Sequence, residues 1–600
     1  MSLFLSFYFT VPLILLGYGY IFSRIILKNN NHKIDIGLIG LLGFLFLYLI
    51  SNITHFFINF DNSLIFIIQI LGIIFFLYSL TSSNIKKFDL FKLLFLSIIF
   101  LPIAIITEPN EDFYHYYLPY LKYLESSKII FGLVNINDTL AYSSNSFYDI
   151  LVLFKYPFSF KNSYSIPIFF FYIFYLFFII NKILKYNDFF YIFIFLLSLI
   201  SFTSLRDFGT SIPPQLALII CACLIYECLI YGYNENKITF VIVLITLAII
   251  LRINSILILP LFLLLIYFYY KKIPNYIYNN IIIVFTILLI VIFFLGKNLI
   301  QSSCLVYPIH NTCFSNLDWS TDLKIVNQKY SKLQADSKGW SFYAKENFNI
   351  KDKYVWKNLN KDNFIEYKDY ATTTPFFWTK YWIKDPNYKK ILNLFLSVII
   401  IYFLLLINSK KNYNSQFLDN KNNFIYLLSF SFFSCLAWFY LSPQIRYGGA
   451  FCFIFFFSIS IKYINENLNR DIKITNLILI ILIVFSYVEY KNFNRIYSSF
   501  QNELFDNFPW PNFHELQIDN DFIIEEKNRI KFNKRIYSNK LLFDNNNDYI
   551  LMCGNIDFPC IPEGKEVCLN KEKSKYGYLF YSHNKENDNC YNFMNKNILY

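Results

Sequence analysis

Asp35-Ile36-Gly37-Leu38-Ile39-Gly40-Leu41-Leu42-Gly43-Phe44-Leu45-Phe46-Leu47-Tyr48-Leu49-Ile50-Ser51-Asn52 carries one charge, at its first position. No Asp, Glu, Lys or Arg follows until Asp61. A helix of about 20 apolar residues crosses a hydrocarbon core about 30 Å thick. The stretch therefore predicts a membrane-spanning helix. Similar runs recur along the chain, near 4–23, 63–81, 91–107, 166–182, 188–203, 213–230, 238–252, 255–270, 280–296, 390–407, 424–441, 448–463 and 475–490.

The whole composition agrees. Of the 600 residues, 56% are hydrophobic, more than separate soluble domains with polar helix faces would carry. Fourteen runs are present, and about thirteen are expected to span. The pair 238–252 and 255–270, separated by Leu251-Arg252-Ile253-Asn254, reads either as two short helices or as one broken element. Residues 1–26 lack the charged start and small-residue cleavage site of a signal peptide, so a retained helix is expected there. The fold class expected is an all-α polytopic transmembrane bundle with extracytoplasmic loops and a small C-terminal α/β or α+β soluble domain.

Charge orients the bundle. Lysines and arginines gather in alternate loops: Arg24, Lys28 and Lys33; Lys86, Lys87 and Lys92; Lys182 and Lys185; Lys271 and Lys272; Lys410, Lys411 and Lys421; Lys462, Arg470 and Lys473. The intervening short loops hold few cations, so the first set is expected on the cytoplasmic side. The formal net charge of +12 fits basic cytoplasmic loops. No clustered basic surface or nucleic-acid motif is present, so no nucleic-acid partner is expected.

Cysteine supplies a second line. Five of the 11 (Cys221, Cys223, Cys228, Cys435 and Cys452) lie in apolar runs, where Cys acts as a small hydrophobe. Cys304 and Cys313 open one polar segment, and Cys553, Cys560, Cys568 and Cys590 lie in the tail. Even numbers in each region suggest disulfides in an oxidising compartment. Free or metal-binding thiols are the alternative, but close CxxC pairs are absent. Sequence does not choose among the pairings of the tail. The chain then divides into N-terminal helices (1–107), a first outer loop (108–165), central helices (166–296), a second outer loop (297–389), C-terminal helices (390–490) and an extracytoplasmic tail (491–600).

Chemistry is expected in the first outer loop. Glu108-Pro109-Asn110-Glu111-Asp112-Phe113-Tyr114-His115 follows a predicted span directly. On a helix, Glu111 and His115 share a face. Adjacent carboxylates can hold a divalent cation, and a free one can take a proton from a hydroxyl. The same cluster also suits the acidic N-terminus of a solvated juxtamembrane helix. Arg206, Arg252 and Arg446 lie near predicted outer helix ends, as phosphate-binding forks or as snorkelling interfacial side chains. Arg206 can also pair with Asp207, and Asp149 is a weaker candidate for a further acid.

An acidic pair in the first large outer loop resembles the catalytic motif of the GT-C class of polytopic membrane glycosyltransferases. The stretch from Glu111-Asp112 through Leu118-Pro119 is also similar to a family of bacterial membrane proteins. There it continues into segments like Phe131-Gly132-Leu133-Val134-Asn135 and Ser143-Ser144-Asn145-Ser146. Tyr307-Pro308 with Cys304 and Cys313, and Trp438-Phe439 with Pro443 and Arg446-Tyr447-Gly448, extend the similarity. That class has one helix before its acidic loop, whereas about four precede it here.

The resemblance implies a polyprenyl-phosphate-linked sugar donor, a glycan or lipid acceptor, and a bacterial inner membrane with the large loops and C-terminus outside. It implies Asp112 and Glu111 as base or as ligands of Mg or Mn, His115 as a helper, and the arginines as phosphate binders. A surface polysaccharide polymerase or ligase and a transporter of lipid-linked glycans are the rival expectations. An assembly scaffold that binds through its tail is the non-enzymatic one.

Overall fold

The computed structural model describes residues 2–501 except 28–33, 82–85, 106–116, 136, 157–164, 187–188, 203–210, 349–366, 373–375, 408, 412–420, 468–469 and 473. Beyond 501 it describes 505–511 and short strand segments. Among these residues each apolar run falls on a helix. In chain order they are α1 (Ser2–Ile26), α2 (Ile36–Phe57), α3 (Asn62–Thr81), α4 (Lys87–Ile99), α5 (Ser165–Tyr186), α6 (Phe189–Ser201) and α7 (Ile212–Tyr231). Then come α8 (Glu235–Leu251), α9 (Leu259–Tyr269), α10 (Ile281–Ser302), α11 (Pro386–Ile407), α12 (Lys421–Leu441), α13 (Ile445–Asn467) and α14 (Ile474–Gln501).

Local signals set several ends. The Asp35 carboxylate accepts from the Gly37 N–H and caps α2, and Asn234 caps α8 by accepting from Lys237. α7 stops at Gly232, whose φ of 88° suits a residue without a Cβ.

The count of about thirteen spans is corrected. Among the described residues seven helices are long and apolar enough to cross a membrane, or eight if the bent pair Ile253–Tyr269 and Ile273–Asn279 forms one. Length is one reason. The 13 residues of α4 and of α6 rise only roughly 20 Å. The doubtful pair also resolves. α8 stands alone, and the second run turns by 102° into Ile273–Asn279 as a broken span or re-entrant loop. Two boundaries move: α10 runs to Ser302 and α14 to Gln501, so 297–302 and 491–501 belong to helices. The small α/β or α+β domain expected in the tail is not shown. Past Gln501 only short strand pairings are described, including Glu566–Asn570 between Leu579–Tyr581 and Cys590–Asn592.

The N-terminal helices pack backbone to backbone. A Cβ on Gly19 would lie 1.8 Å from the Ile39 carbonyl oxygen, and one on Gly17 2.0 Å from that of Gly72. Small residues at crossings permit the close van der Waals contact that drives helix association in lipid. One continuous apolar core runs through α1, α2, α5, α6, α7 and α8. Outward faces of α3, α10, α11 and α14 expose Ile67, Phe285, Ile400 and Tyr490, as lipid-facing surfaces do.

Polar contacts sort the helix ends into two sets. Asp35 accepts from Asn181, Arg24 meets Tyr78, and Glu227 pairs with Lys182 and Lys237. Ser409–Lys411 pairs with Arg470–Ile472. At the other ends, Lys297 meets Asp149, Arg252 meets Arg446, Asn59 meets Glu125, and Arg495 meets Pro102 and Ile105. The first set holds the lysine-rich loops.

Candidate functional site

Glu111, Asp112, His115 and Arg206 lie outside the described residues, as do Cys553 and Cys560. The two ligands expected for a divalent cation are therefore not placed. Among the described residues no group of three or more His, Cys, Asp or Glu side chains could hold a metal ion. The remaining expected residues do converge.

Arg252 ends α8, its N–H bonded to the Ala248 carbonyl. Arg446 opens α13 after the turn Ser442-Pro443-Gln444. Two indoles hold that turn, with Trp382 Nε1 donating to the Pro443 carbonyl at 2.8 Å and Trp438 Nε1 to that of Gln444 at 3.2 Å. Gly448 lies against Trp438, and a Cβ there would sit 2.2 Å from the indole. The expected Trp438, Pro443 and Gly448 pattern thus has a local cause: together these residues shape the turn that presents Arg446.

The two guanidiniums share one ring. Their central carbons lie 4.9 Å (Arg252) and 5.0 Å (Arg446) from the Tyr447 ring centroid. Arg252 Nη1 donates to the main-chain oxygen of Arg446, and Arg446 Nε to Gln444 Oε1 at 2.7 Å. Arg252 is buried and meets no carboxylate in an ion pair among the described residues. Two forked cations against one ring, Arg252 buried and Arg446 exposed, suit a phosphate or carboxylate.

Both outer segments contribute to the surroundings. Tyr142 stacks on Tyr307 at 5.8 Å, and Lys329 pairs with Asp138. Burial raises the Asp336 carboxyl above its ordinary range, while Lys332, Lys329 and Arg446 pull it down. Burial also raises the Tyr142 phenol, with Asp138 the next cause. The expected disulfide between Cys304 and Cys313 is present and ties the chain beside Tyr307. Nearby, Lys338 is buried, donates to the Ala371 carbonyl at 3.0 Å and lies over the rings of Trp378 and Tyr440.

Asp149, the weaker candidate in the sequence, lies at the centre of a buried network. Lys297 Nζ donates to its Oδ1 at 2.6 Å and the Tyr120 hydroxyl at 2.9 Å. Ser51 donates to its main-chain oxygen, and His55 Nε2 lies 3.1 Å from the Ser127 oxygen. Burial pushes the Asp149 carboxyl up, and Lys297 and Tyr120 lower it again. Lys297 is the residue that sequence reasoning missed. Its one signal was a cation directly after an apolar run, at a boundary where lipid permits a charge only when it is paired or used.

No curated protein and no solved structure matches the chain. A family model matches residues 1–453, which include Arg252, Arg446, Asp149, Lys297 and the acidic segment. The chain belongs to the family described as Domain of unknown function (DUF8201).

Proposed function

We propose that the protein is a membrane glycosyltransferase of the GT-C type. It takes a sugar from a polyprenyl-phosphate donor on the outer face of a bacterial inner membrane, for cell-surface glycan synthesis. The observation that carries this reading is the Arg252–Tyr447–Arg446 arrangement, in which a buried and an exposed guanidinium share one ring at the helix ends remote from the lysine-rich loops. The lysine-rich ends are assigned to the cytoplasm by the positive-inside rule.

The chemistry follows from charge. Asp112 or Glu111 takes the proton from an acceptor hydroxyl. The hydroxyl oxygen bonds to the anomeric carbon as the bond from that carbon to the phosphate oxygen breaks. The electron pair leaves with the phosphate, whose growing negative charge the two guanidiniums stabilise. A Mg or Mn ion held by Glu111 and Asp112 would supply further charge stabilisation.

The test is sugar transfer by purified protein in proteoliposomes, with extracted polyprenyl-phosphate sugars as donors and with or without divalent cation. Consumption of donor that Asp112→Asn abolishes supports the reading. Full turnover by both Asp112→Asn and Glu111→Gln rules out the acidic site.

A transporter of lipid-linked glycans is the second reading, favoured by the buried Asp149–Lys297 pair, since transporters keep ionisable groups among their helices. It predicts movement of donor between leaflets with no sugar transferred. A polymerase or ligase would keep the arginine dependence and lose none of its rate in Asp112→Asn.

A further inference from the structure

A second polar site lies where α14, α5 and the end of the α4 segment meet. Glu489 on α14 is 9% exposed, and neither carboxylate oxygen has a hydrogen-bond partner among the described residues. One turn on, Asn492 is 2% exposed and its Nδ2 has none among them either. The Tyr172 hydroxyl on α5 is also buried without a hydrogen-bond partner among the described residues. Arg495 Nη2 donates to the carbonyls of Pro102 at 3.2 Å and Ile105 at 2.9 Å, which fastens this corner to the segment before the acidic motif. Beneath lies an aromatic floor, with the Phe100 ring 6.4 Å from Tyr172 and 5.6 Å from Phe485.

Buried polar groups are rarely left unpaired, because each costs about 1–3 kcal/mol. Four such atoms on neighbouring helix faces imply an occupant, and its chemistry can be worked out. Glu489 offers two acceptors, Asn492 offers a donor and Tyr172 can do either. A cation would leave the Asn492 N–H unpaired and meet the Arg495 charge. An anion would meet the Glu489 charge. A neutral group that both donates and accepts satisfies all of them, and adjacent hydroxyls do so. The aromatic floor suits the apolar face of a ring.

We infer that Glu489, Asn492 and Tyr172 form a sugar-hydroxyl subsite, in which the carboxylate accepts from two neighbouring hydroxyls and the amide donates to one of them. The subsite deepens the transferase reading and rests on it for the choice of a sugar. Its test is binding, so the two can fail separately.

The full chain in nanodiscs is offered two probes. Methyl hexosides are read by saturation-transfer difference NMR, and a polyprenyl-phosphate hexose by native mass spectrometry. Wild type is expected to bind one of them, and Glu489→Gln and Asn492→Leu to weaken that binding at least tenfold. Tyr172→Phe removes one oxygen from the site and is expected to weaken binding about threefold. Binding of the free hexoside assigns the subsite to a soluble sugar, and binding of the carrier-linked hexose alone assigns it to the donor. No binding of either probe, or wild-type affinity in both Glu489→Gln and Tyr172→Phe, overturns the inference. Binding without transfer in proteoliposomes would sink the transferase reading alone.

Discussion

Arg252 and Arg446, 194 residues apart in sequence, meet through a hydrogen bond from one guanidinium to the other residue's main-chain oxygen, with the Tyr447 ring against both. Like charges approach this closely where water reaches one of them, as it does the exposed Arg446, and where aromatic and carbonyl groups offset the buried one. The structure supplies the ring and the carbonyl.

The pair should therefore respond to charge and to shape in different degrees. Arg252→Lys keeps the charge and loses the fork. It is expected to weaken binding of a polyprenyl-phosphate lipid about tenfold, and Arg446→Ala with Arg252→Ala about a hundredfold or more. Lipid binding to nanodisc-embedded protein, measured by native mass spectrometry, checks this. Wild-type affinity in the double variant would remove the anion site.

Asp149 and Lys297 form a buried ion pair, and removing one partner strands the other. Lys297→Met is expected to cost about 3–5 kcal/mol. The combination of Lys297→Met with Asp149→Asn should recover part of that loss, because no lone charge remains. Chemical unfolding in detergent, followed by tryptophan fluorescence, reads both values. A double variant that loses the full sum of the single losses would show that the two side chains act separately.

Lys338 provides a pH dependence. Burial lowers its ammonium from 10.5 to about 8. The folded state then holds fewer protons than the unfolded one between those values, so stability rises with pH across that window. The cost of burying the charge is present in full below about 8 and relieved by about 10.5. Melting temperature against pH should rise across this window in wild type and stay flatter in Lys338→Met.

Cysteine pairing is directly measurable. Replacing Cys304 and Cys313 by Ser opens a loop with a sequence separation of 9. A cross-link over so short a loop stabilises by about 2–3 kcal/mol. In the tail, the strand register sets Cys568 opposite Cys590. Peptide mapping without reduction is expected to find a Cys568–Cys590 link, leaving Cys553 and Cys560 to each other. Detection of free thiols at all four positions in protein from intact membranes would refute the oxidising compartment.

Gly17 and Gly19 test the packing of α1. Gly19→Leu would force its side chain into the Ile39 carbonyl, so α1 and α2 must part. Its yield of folded protein is expected to fall severalfold, while Gly296→Ala, whose nearest neighbour is 3.8 Å from the added Cβ, should fold as wild type.

How much of this was legible without coordinates depends on the range of the interaction. An apolar run declares itself, because lipid demands apolar side chains and helical hydrogen bonding within one segment. The runs around 35–52 and 280–296 were therefore readable, as were the cysteines Cys304 and Cys313, nine positions apart. Length alone did not say which runs cross, since 13-residue helices such as α4 and α6 are apolar yet short.

The candidate sites divide in the same way. Arg252 and Arg446 were visible as cations at helix ends, because charge at an apolar boundary is conspicuous. Their meeting was not visible, since it depends on how α8 and α13 pack. Asp149 looked unremarkable until α10 brought Lys297 to it, and Glu489 lay unmarked at the end of the apolar run 475–490. Sequence alone determined the membrane class, the helical segments and their alternating charge, because these follow from local hydropathy. Only the tertiary structure decided which buried charges are paired, because pairing is a contact between helices far apart in the chain.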